Sequence, residues 1–160
     1  MGNYNFRKDM AVAKETEKDV ASLLIELYGA EIKDYNSTIS HDIQTVIKGK
    51  DVLFEVKEDF MCGATGNVAV EYSCRGKDSG IAVSNADYYI YKIHLKDRVD
   101  YMLLNAGELK RAIKARNYFR TVNGGDKGSN SLCYLFKYQA LADIGTVIYS
   151  VESTGEEVTK

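Results

Sequence analysis

DVLFEVKED, residues Asp51 to Asp59, alternates apolar and charged side chains along its length, as a half-buried β-strand requires. Side chains in a strand point to opposite faces in turn, so Val52, Phe54 and Val56 share one face. Leu53, Glu55, Lys57 and Asp59 share the other, where a carboxylate and an ammonium stand side by side, an unusual second face for a core strand. Upstream, His41 to Ile47 forms another extended run, and Lys48-Gly49-Lys50 between the two carries the glycine signal of a hairpin turn. A loop of two or four residues places Asp42 opposite Lys57 and diagonal to Glu55, with Gln44 opposite Glu55, all within reach of one ion. A three-residue loop would turn Asp42 to the wrong face, because a slip of one residue inverts every side chain.

The chain around this hairpin has 160 residues, one domain's worth, and its 45% hydrophobic content is enough for an ordinary core. The expected organisation is a single domain over residues 1–152 followed by a flexible polar tail over 153–160. No apolar run is long enough to span a bilayer and no basic-then-apolar signal opens the chain, so a soluble, cytoplasmic protein without membrane contact is expected. Three cysteines, Cys62, Cys74 and Cys133, lack CxxC spacing and read as free thiols, not as a disulfide framework or a zinc site. With His41 and His94 the only histidines, zinc hydrolases and histidine-dependent nucleases have few residues to work with.

The net charge of −2 makes no electrostatic case for nucleic acid, but its distribution is informative. Residues 1–60 hold eight Lys or Arg against twelve acids, whereas 105–140 hold seven basic residues, including Arg116, Arg120 and Lys127, against only Glu108 and Asp126. An acidic half suited to a cation precedes a basic half suited to phosphates, although a solvated helix face accounts equally well for Lys110 to Arg116.

A helix is expected from about Asp9, its N-cap, to Tyr28, with Gly29 as its stop and a buried stripe of Ala13, Val20, Leu24, Leu27 and Tyr28. Glu17 falls on that stripe, where a carboxylate needs a partner or a cation, and Glu15 is the competing acid. Beyond the hairpin, Asn67 to Ser73 reads as a strand, followed by a loop with two glycines that carries Arg75 and Lys77. Tyr88 to Ile93 reads as a strand covered on both faces. Val99 to Leu104 is a further strand, and Asn105 caps a helix reaching about Asn117. Phe119 to Val122 and Leu132 to Phe136 flank a glycine-rich loop, 123–130, which lacks Walker A spacing; it is either a long hairpin turn or a place where Lys127 and backbone amides meet a phosphate.

Asp42 followed by Glu55-Val56-Lys57 on a hairpin resembles the PD-(D/E)XK nuclease superfamily, in which an Asp and a Glu bind divalent metal and a Lys assists the attacking water. TGNVAVEY (65–72), GKDSGI (76–81) and NADYYIYK (85–92) resemble the segment after the catalytic hairpin in small phage-encoded, Holliday-junction-resolvase-like endonucleases of that superfamily. An Arg followed by a Gly-Gly-Asp loop, Arg120 and 124–126 here, is similar to their C-terminal part. With Glu17, the resemblance spans more than half of the chain. It implies an α/β fold with a central mixed β-sheet flanked by helices, a restriction-endonuclease-like core. It also implies a Mg²⁺- or Mn²⁺-dependent DNA endonuclease in which Asp42, Glu55, the Val56 carbonyl and Glu17 hold metal and Lys57 acts on water. DNA is the implied partner, with Arg75, Lys77, Arg116, Arg120 and Lys127 as candidate contacts, and both a monomer and a homodimer are compatible with the sequence. The alternative is a catalytically inactive nucleic-acid-binding or protein-interaction domain on the same fold, its Glu-x-Lys pair being only a charged strand face.

Overall fold

The computed structural model describes residues 6–35, 42–124 and 130–152, with backbone alone at 6–13 and 124. In chain order the elements are α1 (Phe6–Tyr28), β1 (Glu31–Asp34), β2 (Ile43–Ile47), β3 (Lys50–Asp59), α2 (Cys62–Thr65), β4 (Asn67–Cys74) and β5 (Lys77–Asp78). A 3-10 turn (Gly80–Ala82) leads to β6 (Tyr88–His94), β7 (Arg98–Asn105), α3 (Ala106–Lys114), β8 (Arg120–Gly124), β9 (Ser131–Lys137), α4 (Tyr138–Ile144) and β10 (Gly145–Glu152). The α/β fold carries a mixed six-stranded sheet in the order β1-β2-β3-β6-β7-β10 and a second, four-stranded sheet in the order β5-β4-β9-β8. The second sheet is antiparallel throughout, and it is an addition to the single central sheet expected from sequence.

The DVLFEVKED stretch is β3, and its position in the large sheet explains its pattern. On one side it pairs antiparallel with β2, on the other parallel with β6, Phe54 beside Tyr88 and Lys57 beside Tyr91. Phe54 and Ile43 turn to the face covered by α1, where they pack with Val20, Ala21, Leu23, Leu24, Ile90 and Tyr101. The opposite face carries Tyr89, Tyr91 and Ile93, which pack with Val68, Val70 and Phe136 of the second sheet and with Leu109 and Leu141 of α3 and α4. Strand β6 therefore lies between two cores, and Tyr89, Ile90, Tyr91 and Ile93 are all buried, in keeping with a strand covered on both faces.

The hairpin closes with a two-residue loop, but its pairing lies two residues away from expectation. Ile47 pairs with Lys50 and Gln44 with Leu53, so the loop is Lys48-Gly49, with φ of 52° and 78°. Two successive positive φ values make a type I′ turn, whose twist suits a two-residue hairpin, and Lys48 accepts the left-handed conformation as a non-glycine residue. Asp42 consequently stands beside Glu55 rather than opposite Lys57, and Gln44 is not the neighbour of Glu55. A slip of two residues leaves side chains on the same face, so the acids still meet.

Helix α1 also departs from expectation. It begins at Phe6, which puts Asp9 inside the helix instead of at its cap. It ends at Gly29 as expected, with φ +66° and the Ala30 N–H reaching back to the Leu24 carbonyl. Leu27 and Tyr28 are exposed, and Ala21 and Leu23 are buried in their place, because the last turn runs out over a hollow of about 300 Å³ lined by Tyr28, Ile47, Phe54 and Leu103. Helix α3 is capped as expected, Asn105 Oδ1 accepting from the Glu108 N–H at 3.0 Å, and ends at Lys114. The three cysteines are free. Among the described residues no helix is long and apolar enough to cross a membrane.

Candidate active site

Three charged residues share the face of β3 turned toward the second sheet, and their surroundings separate them. Asp59 is buried and fully engaged: Oδ1 accepts from the N–H groups of Met61 and Cys62 at 2.9 Å each, and Oδ2 from Ala69 N–H at 3.0 Å. It fixes the start of α2 and ties β3 to β4, a structural task. Glu58, on the α1 face, is engaged too, by the Thr16 hydroxyl at 2.7 Å and by His94 Nε2 at 2.7 Å.

Glu55 differs. Only 7% of it is exposed, and its Oε1 is the one buried carboxylate oxygen among the described residues without a hydrogen-bond partner. Its Oε2 lies 3.4 Å from Lys57 Nζ. Burial pushes the Glu55 carboxyl up from 4.5 to about 7; Lys57 pulls it down, and Asp42 pushes it further up. A buried acid with an empty oxygen and a second acid at its side is costly to ionise unless a cation or a proton joins it.

Asp42 is that second acid. It stands just before β2, with its own N–H donating to the Phe54 carbonyl at 2.9 Å. Its Oδ2 accepts the Val56 N–H at 2.9 Å, taking the place of a ladder bond at the point where β2 no longer flanks β3. The Asp42 carboxylate is thereby held beside Glu55, and Val56 is the backbone position between Glu55 and Lys57 that anchors it.

Across from Glu55 and Lys57 the second sheet and the turn that follows it supply the opposite wall of a cleft of about 250 Å³, lined by Glu55, Lys57, Glu71, Asp78, Ser79 and Gly80 among others. Glu71 and Asp78 were not among the residues singled out from sequence. Glu71 alternates inconspicuously along β4, and only the packing of one sheet on the other brings it opposite Glu55.

Glu17 is half-buried on α1, whose neighbouring residue Thr16 binds Glu58, so this part of the helix lies over the second half of β3. Asp19 leans toward β6, 3.9 Å from Lys92 Nζ. At 100° per residue Glu17 falls on the flank of the helix away from Asp19, and α1 as a whole covers the sheet face opposite to the one that Glu55 and Lys57 share. Glu15 is exposed.

The basic candidates divide into two groups. Arg75 and Gly76 form the β4–β5 turn, with φ of 54° and 80°, and exposed Lys77 adjoins the cleft wall at Asp78. Arg120, exposed, pairs with Leu135 at the far end of the second sheet and lies with Lys137 over the ring of Phe119. Arg116 is exposed after α3. His41 and Lys127 lie outside the described residues, although the Arg75 N–H, 3.1 Å from the Asn130 carbonyl, joins the β4–β5 turn to the end of the loop bearing Lys127.

Among the described residues no three His, Cys, Asp or Glu side chains gather closely enough to form a metal cluster. The unit is a pair of acids with one vacant buried oxygen. A hard ion such as Mg²⁺, which keeps several waters and is held by one or two carboxylates, fits that donor set. No family model matches this sequence, and no curated protein matches it either.

Proposed function

We propose that this chain is a Mg²⁺- or Mn²⁺-dependent DNA endonuclease built on a restriction-endonuclease-like core, in which Asp42 and Glu55 hold the cation with the Val56 carbonyl. The observation that carries the proposal is the buried, unpartnered Glu55 Oε1 beside Asp42 and within 3.4 Å of Lys57 on the other oxygen. Asp59, on the same strand face, shows what a merely structural acid looks like in this fold, with every oxygen engaged. The antiparallel β1-β2-β3 meander followed by the parallel step to β6 supports the core assignment.

When bound, the cation would lower the pKa of water and offset charge developing on a phosphate. Lys57 carries three donors and no acceptor, so its part is to orient the attacking water or to stabilise charge on a phosphoryl oxygen. Arg75 and Lys77, beside the cleft wall, are the basic residues best placed to meet a DNA backbone there. Glu17, on the helix over the opposite face of β3, is the further acid that the resemblance implies for the set.

Cation titration tests the proposal before any substrate is known. The protein should bind Mg²⁺ or Mn²⁺ at millimolar concentration or below, and Asp42→Ala should lose that binding. Absence of binding in the parent protein would favour an interaction domain whose charged strand face has no catalytic task.

A further inference from the structure

The cleft facing Lys57 has a second wall, which carries Glu71. Glu71 sits mid-strand in β4, paired with Cys133 of β9, so its backbone is fixed from one side by the second sheet. From the other side the Ser79–Gly80 bend is clamped onto it. Ser79 N–H donates to the Tyr72 carbonyl at 3.1 Å, and the Ser79 hydroxyl donates to Glu71 Oε2 at 2.7 Å. Gly80 has φ +52°, and a Cβ there would stand 2.2 Å from the Glu71 carbonyl oxygen, so only glycine permits this approach. One carboxylate oxygen is thus oriented by Ser79, on the wall of a cleft that it shares with Glu55 and Lys57.

A carboxylate held this firmly in a shared cleft is more than a solvated side chain. Its independent counterpart across the cleft is Glu55, about nine-tenths buried, with Oε1 unpartnered. Glu71 does not join Asp42 and Glu55 in a close cluster of acids, so direct coordination alongside them is not its part. A small divalent ion dehydrates reluctantly, and its remaining waters need acceptors; a carboxylate on the opposite wall is one.

We infer that Glu71, oriented by Ser79, is a positioning residue of the cation site, accepting hydrogen bonds from water around a divalent ion held by Asp42 and Glu55 and adding negative potential to the cleft. This inference rests on the cation site proposed above. It makes Ser79 a tuning residue in turn, since loss of its hydroxyl frees Glu71 to rotate.

The test is calorimetric titration of Mn²⁺ and Mg²⁺ into the full chain without DNA, comparing the parent protein with Asp42→Ala, Glu71→Gln and Ser79→Ala, each checked for an unchanged melting temperature. Glu71→Gln keeps the size and the oxygen acceptor for Ser79 but removes the charge, so a purely structural role would leave affinity untouched. The expected result is loss of binding in Asp42→Ala, roughly 10- to 100-fold weaker binding in Glu71→Gln and a smaller weakening in Ser79→Ala. If Asp42→Ala loses binding while Glu71→Gln binds as the parent does, this inference is overturned and the proposed cation site stands. If the parent binds neither ion, both are overturned. Should Glu71→Gln fold poorly, Glu71→Asp replaces it: retained charge on a shorter stem should weaken binding by less than Ala at the same position, and equal affinity in Asp, Ala and parent proteins would overturn the inference.

Discussion

Replacing Glu55 with Gln should make the cation-free protein more stable at alkaline pH, and the size of the effect follows from its burial. The Glu55 carboxyl rises from 4.5 to about 7 on folding, because burial and Asp42 oppose its charge more than Lys57 relieves it. The folded protein therefore binds the Glu55 proton more tightly than the unfolded chain does, and stability falls as pH rises. The contribution is fully present below pH 4.5 and is lost as pH climbs through 7. At about 1.4 kcal/mol per pH unit the whole span is on the order of 3 kcal/mol, of which roughly 2 kcal/mol is lost between about pH 5.5 and about pH 8. For a chain of this length that corresponds to a fall of about 4–8 °C in Tm. Thermal and urea unfolding with a chelator present should show this decline in the parent protein and a flatter profile in Glu55→Gln. Adding Mg²⁺ at pH 8 should restore stability to the parent and not to the variant, since an ion that binds only the folded state adds RT ln(1 + [Mg²⁺]/Kd). The same pH slope in both proteins would refute the argument that Glu55 is held against its charge.

Lys57→Ala should abolish cleavage while retaining cation binding; because Lys57 lowers the Glu55 pKa, that binding should also move to higher pH, readable from titrations at about pH 6, 7 and 8. Neutralising Arg75 or Lys77 should weaken DNA binding and reduce the salt slope by about 0.9 per lost phosphate contact, whereas Arg116 and Arg120, away from the cleft, should give smaller changes; salt-dependent binding isotherms measure both. Glu17→Leu should raise the cation-free Tm, as an apolar residue in place of a half-buried carboxylate, and lower the cleavage rate, and a heat-stable variant cutting at the parent rate would remove Glu17 from the site.

The part of the site carried by local pattern was legible in the sequence. Alternation along Asp51–Asp59 placed Glu55 and Lys57 on one strand face, and the face of Asp42 followed from an odd-even argument that the two-residue register slip did not disturb. A loop of two or four residues was expected, but the pairing was misjudged by two residues, because the loop falls on Lys48-Gly49 and Lys48 adopts a left-handed φ of 52° that its side chain does not advertise. The inner face of α1 was misjudged in its last turn, since helical periodicity does not show where a helix stands off from the sheet beneath it. Glu71 was not legible at all. It joins the cleft through the β4–β9 pairing, between strands some sixty residues apart in the chain, and through a Gly80 whose need for close approach appears only when Glu71 lies beneath it. Helix α4 and strand β10 were likewise unmarked. Their anchor is buried Asp100, which accepts hydrogen bonds from Arg98, Tyr138 and Ser150, a contact set that no local motif signals.

The most direct measurement of the central claim is cleavage of a panel of linear, branched, flapped and single-stranded DNAs by the purified protein with Mn²⁺ or Mg²⁺, alongside Asp42→Ala and Lys57→Ala. Cation-dependent cutting of at least one DNA by the parent protein is expected, abolished by chelator and by either substitution. Cutting that persists undiminished in Asp42→Ala, or a parent protein that binds the cation and cuts none of these DNAs, would contradict it.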